Sequence, residues 1–183
     1  MRPKVAVCFG GVSVEHEVST ISGIQALHAI DQSKYDPFPV YVTKTGRWFV
    51  GDGFVGDELG DIKNYSNIDS LLSRCEEVAP RPVRGDTKLY PLKRKLLSFV
   101  EGALPVDIYF PVFHGSFGED GAVQGLFQLM NVPYVGCDVT GAATSMDKIV
   151  MKSIFRGVGL PVIESCWFTR FEFEEDERAI LQR

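Results

Sequence analysis

No stretch of the sequence approaches the roughly 20 consecutive apolar residues that a membrane-spanning helix needs. The opening MRPKVAVCFGG has too short an apolar run and no small-residue cleavage pattern, so it does not read as a secretory signal. Cysteine is sparse: Cys8, Cys75, Cys137 and Cys166 lie far apart, and none forms a C-x-x-C pair. That excludes a zinc knuckle and a thioredoxin-type motif, and it points to a reducing, cytoplasmic compartment. Positive charge is also in deficit. Nineteen Lys and Arg against 24 Asp and Glu give a net charge of −5, which disfavours a nucleic-acid or anionic-membrane partner. The basic tripeptide Lys93-Arg94-Lys95 is too short to reverse that.

What is present is globular. Over 183 residues, 45% are hydrophobic and 23% charged, enough for one good core and part of a second. Val5 to Phe9 (VAVCF) is apolar on both faces, as expected of the central strand of a covered parallel sheet. Gly10-Gly11 ends it, and Val18, Ile21, Ile24, Leu27 and Ile30 then recur at helical spacing. Strands are expected at Pro37–Val42, Arg47–Val50, Val106–Phe113 and Val132–Val135, with an irregular excursion between about Gly51 and Gly85 broken by a weak helical patch at Ile68–Leu72. After Gly136 one helix is expected from Thr140 to Phe155, then a strand from Leu160 to Phe168, then a charged helix from Glu172 to Arg178. The fold class is α/β, a Rossmann-like three-layer parallel sheet over residues 1–136, followed by the start of a second domain over 137–183. Because the last helical pattern stops without a cap or partner strand, the chain is expected to be truncated.

Two glycine loops follow strands and open helices, which places them at the carboxyl ends of the sheet, where open α/β folds bind ligands. The first, Gly10–Ser19 (GGVSVEHEVS), is not a dinucleotide fingerprint. Its Glu15 suits an ammonium group and would repel a phosphate; the alternative is that Glu15 and Glu17 only complement the helix dipole. The second runs from His114 to Gly121 (HGSFGEDG). Its glycines present backbone donors to an anion, and His114 stands directly after a strand. Glu119 braces the loop or a ligand, and Asp120 is a natural cap for the next helix. Together the loops fit a zwitterion, with its ammonium at Glu15 and its carboxylate near His114, provided that the two strands are close in the sheet. Lys148 is a candidate phosphate ligand, with an ordinary exposed lysine as the alternative.

Three segments, GGVSVEHEVS (Gly10–Ser19), HGSFGEDGAVQG (His114–Gly125) and PYVGCDVTGAATSMDK (Pro133–Lys148), resemble the D-alanine–D-alanine ligases in residues, order and spacing. The resemblance implies a pre-ATP-grasp domain followed by the beginning of an ATP-grasp domain. It implies ATP-dependent joining of two D-alanines through an acyl phosphate for peptidoglycan precursors, with ATP and Mg²⁺ (or Mn²⁺) as cofactors and a homodimer formed through the N-terminal domain. Carried over, Glu15 is the catalytic residue and holds the first ammonium, Val18 lines that subsite, His114 and Glu119 lie by the substrate, and Lys148 contacts ATP phosphate; no metal ligand falls within these residues. The family's chains are longer, so the 183-residue chain alone is expected to be inactive as a ligase. The alternatives are another ATP-grasp peptide ligase and a non-catalytic amino-acid-binding module.

Overall fold

The computed structural model describes residues 1–51, 68–73, 75–92 and 102–182. The basic tripeptide at 93–95 and most of the 51–85 excursion before the helical patch lie outside the described residues. The chain divides into two compact units, Met1–Ala143 and Thr144–Arg183.

The first unit is built on a six-stranded sheet in the order β5-β4-β3-β2-β1-β6. Its strands are β1 (Lys4–Gly10), β2 (Asp36–Val42), β3 (Trp48–Val50), β4 (Glu76–Pro80), β5 (Leu89–Pro91) and β6 (Ile108–Pro111). Its helices are α1 (His16–Ala29), α2 (Ile68–Leu72) and α3 (Ala122–Met130), and α4 (Val139–Met146) runs across the division between the units. The centre is parallel: β1 pairs with β2 (Cys8 opposite Val40) and with β6 (Val7 opposite Phe110). From β3 outward the pairing is antiparallel, so the sheet is mixed and only its β2-β1-β6 part has the expected parallel form.

Strand alternation explains the three layers. Ala6 and Cys8 of β1 turn toward one face, where Val40, Tyr109 and α3 residues Val123, Phe127 and Met130 are buried. Val5, Val7 and Phe9 turn to the other, against Ile24 and Leu27 of α1 and Leu71 of α2. A strand covered by helices on both sides must be apolar throughout, which is why VAVCF carries no polar alternation. Tyr109 stacks on Phe127 with ring centroids 4.7 Å apart and sends its hydroxyl to the Thr87 carbonyl, 2.9 Å away.

Several elements differ from expectation. β4 and β5 arise from segments with no strand pattern. They are short and edge-side, and tertiary pairing rather than propensity makes them strands. The expected strand Val106–Phe113 shortens to β6, and Val132–Val135 reduces to a single bridge between Tyr109 and Tyr134.

The expected helix 140–155 is two helices, α4 and α5 (Lys148–Gly157), because Asp147 adopts extended backbone and its carboxylate accepts from the Ile149 and Val150 N–H groups. The charged helix starts earlier, as α6 (Arg170–Glu175), fixed by a capping box between Thr169 and Glu172. It breaks at Asp176, which caps α7 (Glu177–Ile180). Residues 160–168 form no strand: Ile163 and Trp167 are exposed, and an apolar run without a neighbouring strand has nothing to pair with. Cys166 is correspondingly exposed, whereas Cys8 is buried and burial pushes its thiol pKa far up.

Helix α1 sits close on β1 at Gly23, where an added Cβ would lie 2.3 Å from Phe9 Cβ and Cγ. Gly23→Ala is therefore expected to destabilise the chain by about 1–3 kcal/mol through overpacking, although alanine is the better helix former by about 1 kcal/mol. Urea unfolding of the two chains reads the sign directly.

Candidate functional site

The parallel neighbours β1 and β6 end together, and the two glycine loops leave the sheet side by side. The last ladder bond runs from the Val112 N–H to the Cys8 carbonyl, at 2.7 Å. Beyond it the strands diverge, and Ser19 fills the gap: its hydroxyl accepts from Gly10 N (2.8 Å) and donates to the Val112 carbonyl (2.7 Å). Ser19 lies one helical turn after Glu15, with its N–H on the Glu15 carbonyl at 3.0 Å. The hydroxyl thereby ties the turn that carries Glu15 to the strand end that leads into His114.

The loops then touch directly. Gly115 holds φ at 72°, and a Cβ on it would meet Ser13 Oγ at 2.3 Å and Glu15 Oε1 at 3.1 Å. Only glycine satisfies both the left-handed backbone and this approach. Ser13 Oγ also accepts from Glu15 N at 3.0 Å, which sets the entry of α1. Within the second loop, Glu119 Oε2 accepts from Gly115 N at 2.7 Å, and His114 Nδ1 lies 4.0 Å from Glu119 Oε1. His114 Nε2 is 3.0 Å from Ser22 Oγ on α1. Asp120 accepts from Phe117 N (2.8 Å) and Ala122 N (3.1 Å), so it closes the loop while Gly121 takes the cap position itself.

One side-chain polar atom from each of Glu15, His114 and Glu119 lies within 4.8 Å of the other two. The structure thus brings together three of the residues singled out from the sequence. Glu15 and the imidazole are immediate neighbours rather than distant poles. In an α-amino acid one carbon separates ammonium from carboxylate, and a close acid–imidazole pair matches that spacing. Beside the cluster opens a cleft of about 210 Å³, walled mainly by Gly11, Val12, Trp48, Phe113, His114 and Phe117. Val18 is 49% exposed and is not part of this wall. Lys148 belongs to the second unit, in the first turn of α5. It is exposed, and its Nζ makes a long 3.4 Å contact with the Ser145 carbonyl.

Sequence reasoning passed over His16, Ser19, Ser22 and Tyr41. His16 is fully buried, with Nδ1 2.5 Å from the Gly11 carbonyl and Nε2 2.8 Å from the Tyr41 hydroxyl. A carbonyl only accepts, so Nδ1 carries the proton and Nε2 accepts from Tyr41. The ring thereby pins the first glycine loop to β2. Ser19 and Ser22 had a legible signal, since with Glu15 they fall at i, i+4 and i+7, on one helix face.

The chain's sequence matches the family profile described as D-ala D-ala ligase N-terminus over residues 4–137. The chain belongs to that family. Curated relatives include D-alanine–D-alanine ligases of Bacillus cytotoxicus, 36% identical over 180 residues (98% of this chain, 46% of the relative), and of Acetivibrio thermocellus, 36% identical over 184 residues (100% and 49%). Among solved structures, the VanG D-Ala:D-Ser ligase from Enterococcus faecalis superposes with a TM-score of 0.74 at 32% identity, over all of this chain and 48% of that one. The chain spans about half the length of the curated ligases it matches. The match to the D-ala D-ala ligase N-terminus family covers both glycine loops and all of the residues of the acid–imidazole cluster.

Burial holds the His16 pKa below its ordinary value; the Gly11 bond and Glu17 oppose this in part, and Lys44 adds to it. Below about pH 6.5 the unfolded chain therefore binds more protons at this residue than the folded one, and stability falls as pH drops through that window. His16→Asn removes the titration. Its melting temperature is expected to fall less than that of the original chain between pH 7.5 and 5.5, as read by calorimetry.

Proposed function

We propose that the first unit supplies the subsite for the first D-alanine of an ATP-dependent D-alanine–D-alanine ligase. One observation carries this reading: the carboxylates of Glu15 and Glu119 converge on the His114 imidazole at the mouth of two glycine loops, in a chain of this family. Glu15 holds the ammonium of the amino acid, and Val18 flanks it. The His114 ring and the backbone donors of its loop take the carboxylate, with Glu119 bracing the loop through Gly115. Orienting the amino acid in this way fixes its carboxylate for phosphorylation, which is a positioning contribution to catalysis. The domain assignment goes with it: residues 1–136 bind substrate and 137–183 begin the ATP-binding domain.

In the whole ligase, ATP would transfer its terminal phosphoryl group to that carboxylate, giving an acyl phosphate and ADP, and Mg²⁺ (or Mn²⁺), when bound, would offset the charge of the nucleotide phosphates. Lys148 fits the nucleotide's needs, being exposed and in a long 3.4 Å contact with the Ser145 carbonyl. The Glu15–His114–Glu119 cluster does not fit Mg²⁺. That ion demands octahedral oxygen ligands at about 2.0–2.1 Å, whereas this set includes an imidazole, and Glu119 Oε2 is already committed to a backbone N–H. The reading includes a cytoplasmic homodimer serving peptidoglycan precursor synthesis.

Titration calorimetry of the 183-residue chain with D-alanine tests the core of this proposal. Glu15→Gln removes one charge-assisted bond and is expected to weaken binding by about 10- to 100-fold, in line with about 1.5–3 kcal/mol for such a bond. Unchanged binding in this variant would overturn the reading.

A further inference from the structure

We propose that Ser22 is a positioning residue for His114, its hydroxyl donating to Nε2 and so fixing the imidazole as the Nδ1–H tautomer directed at the carboxylates. The assignment of tautomer follows from the surroundings. Nδ1 lies 4.0 Å from Glu119 Oε1, and the Glu15 carboxylate belongs to the same cluster. A bare nitrogen lone pair facing the Glu119 carboxylate is repelled, whereas an N–H is attracted. With the proton on Nδ1, Nε2 is an acceptor, and the group within reach is Ser22 Oγ at 3.0 Å.

Helix α1 makes this geometry rigid. Glu15, Ser19 and Ser22 occupy positions i, i+4 and i+7 and present one polar stripe to the second loop. Ser19 anchors that stripe to the strand end at Val112, two residues before His114. The ring is thus held from behind by the helix that also carries the ammonium ligand. Buried or half-buried histidines that bind through one nitrogen commonly owe their tautomer to what the other nitrogen contacts. Free neutral imidazole side chains favour the Nε2–H form, so without the hydroxyl the ring presents a lone pair to the substrate carboxylate. The consequence for binding rests on the D-alanine reading above; the tautomer itself does not.

The test uses the ¹⁵N signals of the His114 ring in the chain without amino acid, at a pH where the ring is neutral. The original chain is expected to show the proton on Nδ1. Ser22→Ala is expected to shift the population toward Nε2–H, and Ser22→Thr, which keeps a hydroxyl, to restore it. The affinity for D-alanine is expected to fall about 3- to 10-fold in Ser22→Ala and to recover in Ser22→Thr, the scale of one neutral hydrogen bond. An unaltered tautomer in Ser22→Ala overturns the proposal, as does equal loss in the Ala and Thr variants, which would mark a packing role. If D-alanine fails to bind even the original chain, the functional reading falls, and the ring signals still decide the role of Ser22.

Discussion

The site depends on what happens where two parallel strands part company. A parallel ladder satisfies backbone groups only while its strands run together, and any group left unpaired and buried costs free energy. At the β1–β6 exit the Gly10 N–H and the Val112 carbonyl lose that pairing, and the Ser19 hydroxyl takes both. One side chain thereby satisfies two strands and fixes the distance between the loops they feed. The serine comes from the helix that Glu15 opens, so the strand ends, the helix and the two loops form one mechanical unit.

Within that unit the charges are arranged for discrimination. Two carboxylates beside one imidazole leave the cluster acidic, a poor host for phosphate and a good one for an ammonium group. The carboxylates are exposed, so their pull is moderated by water. Selectivity therefore rests on geometry, and geometry is what the buried partners supply. His16 holds the first loop through Gly11 and Tyr41, Glu119 holds the second through Gly115, and Gly115 lets one loop rest on the other. These contacts lie behind the ligand-facing groups and share no atoms with them except through the loop backbone and Glu119. The adjoining cleft is walled by Trp48, Phe113 and Phe117 on one side of His114.

The second unit is governed by local chemistry. Asp147, Thr169 and Asp176 each cap a helix, and Asp147 and Asp176 each divide a segment that reads as one helix. In α5, Ile149, Val150, Ile154 and Phe155 are all substantially exposed. Capping there decided helix limits that periodicity alone misjudged, because the side chain satisfies N–H groups that a helix start leaves without an intrahelical acceptor.

The sequence by itself determined the elements that local rules govern: the all-apolar β1, the glycine turns, helix α1, the two motif loops and their acid and imidazole side chains. It also carried the family resemblance, through the glycine, acid and histidine residues of the two motif loops. Only the tertiary structure decided that β1 and β6 are neighbours, since pairing partners far apart in sequence leave no local signature. It decided that β4 and β5 are strands, because pairing with neighbours and not propensity makes them so. It also decided the parts played by His16, Ser19 and Ser22, whose polar atoms face groups from distant segments that come within reach only once the sheet has closed.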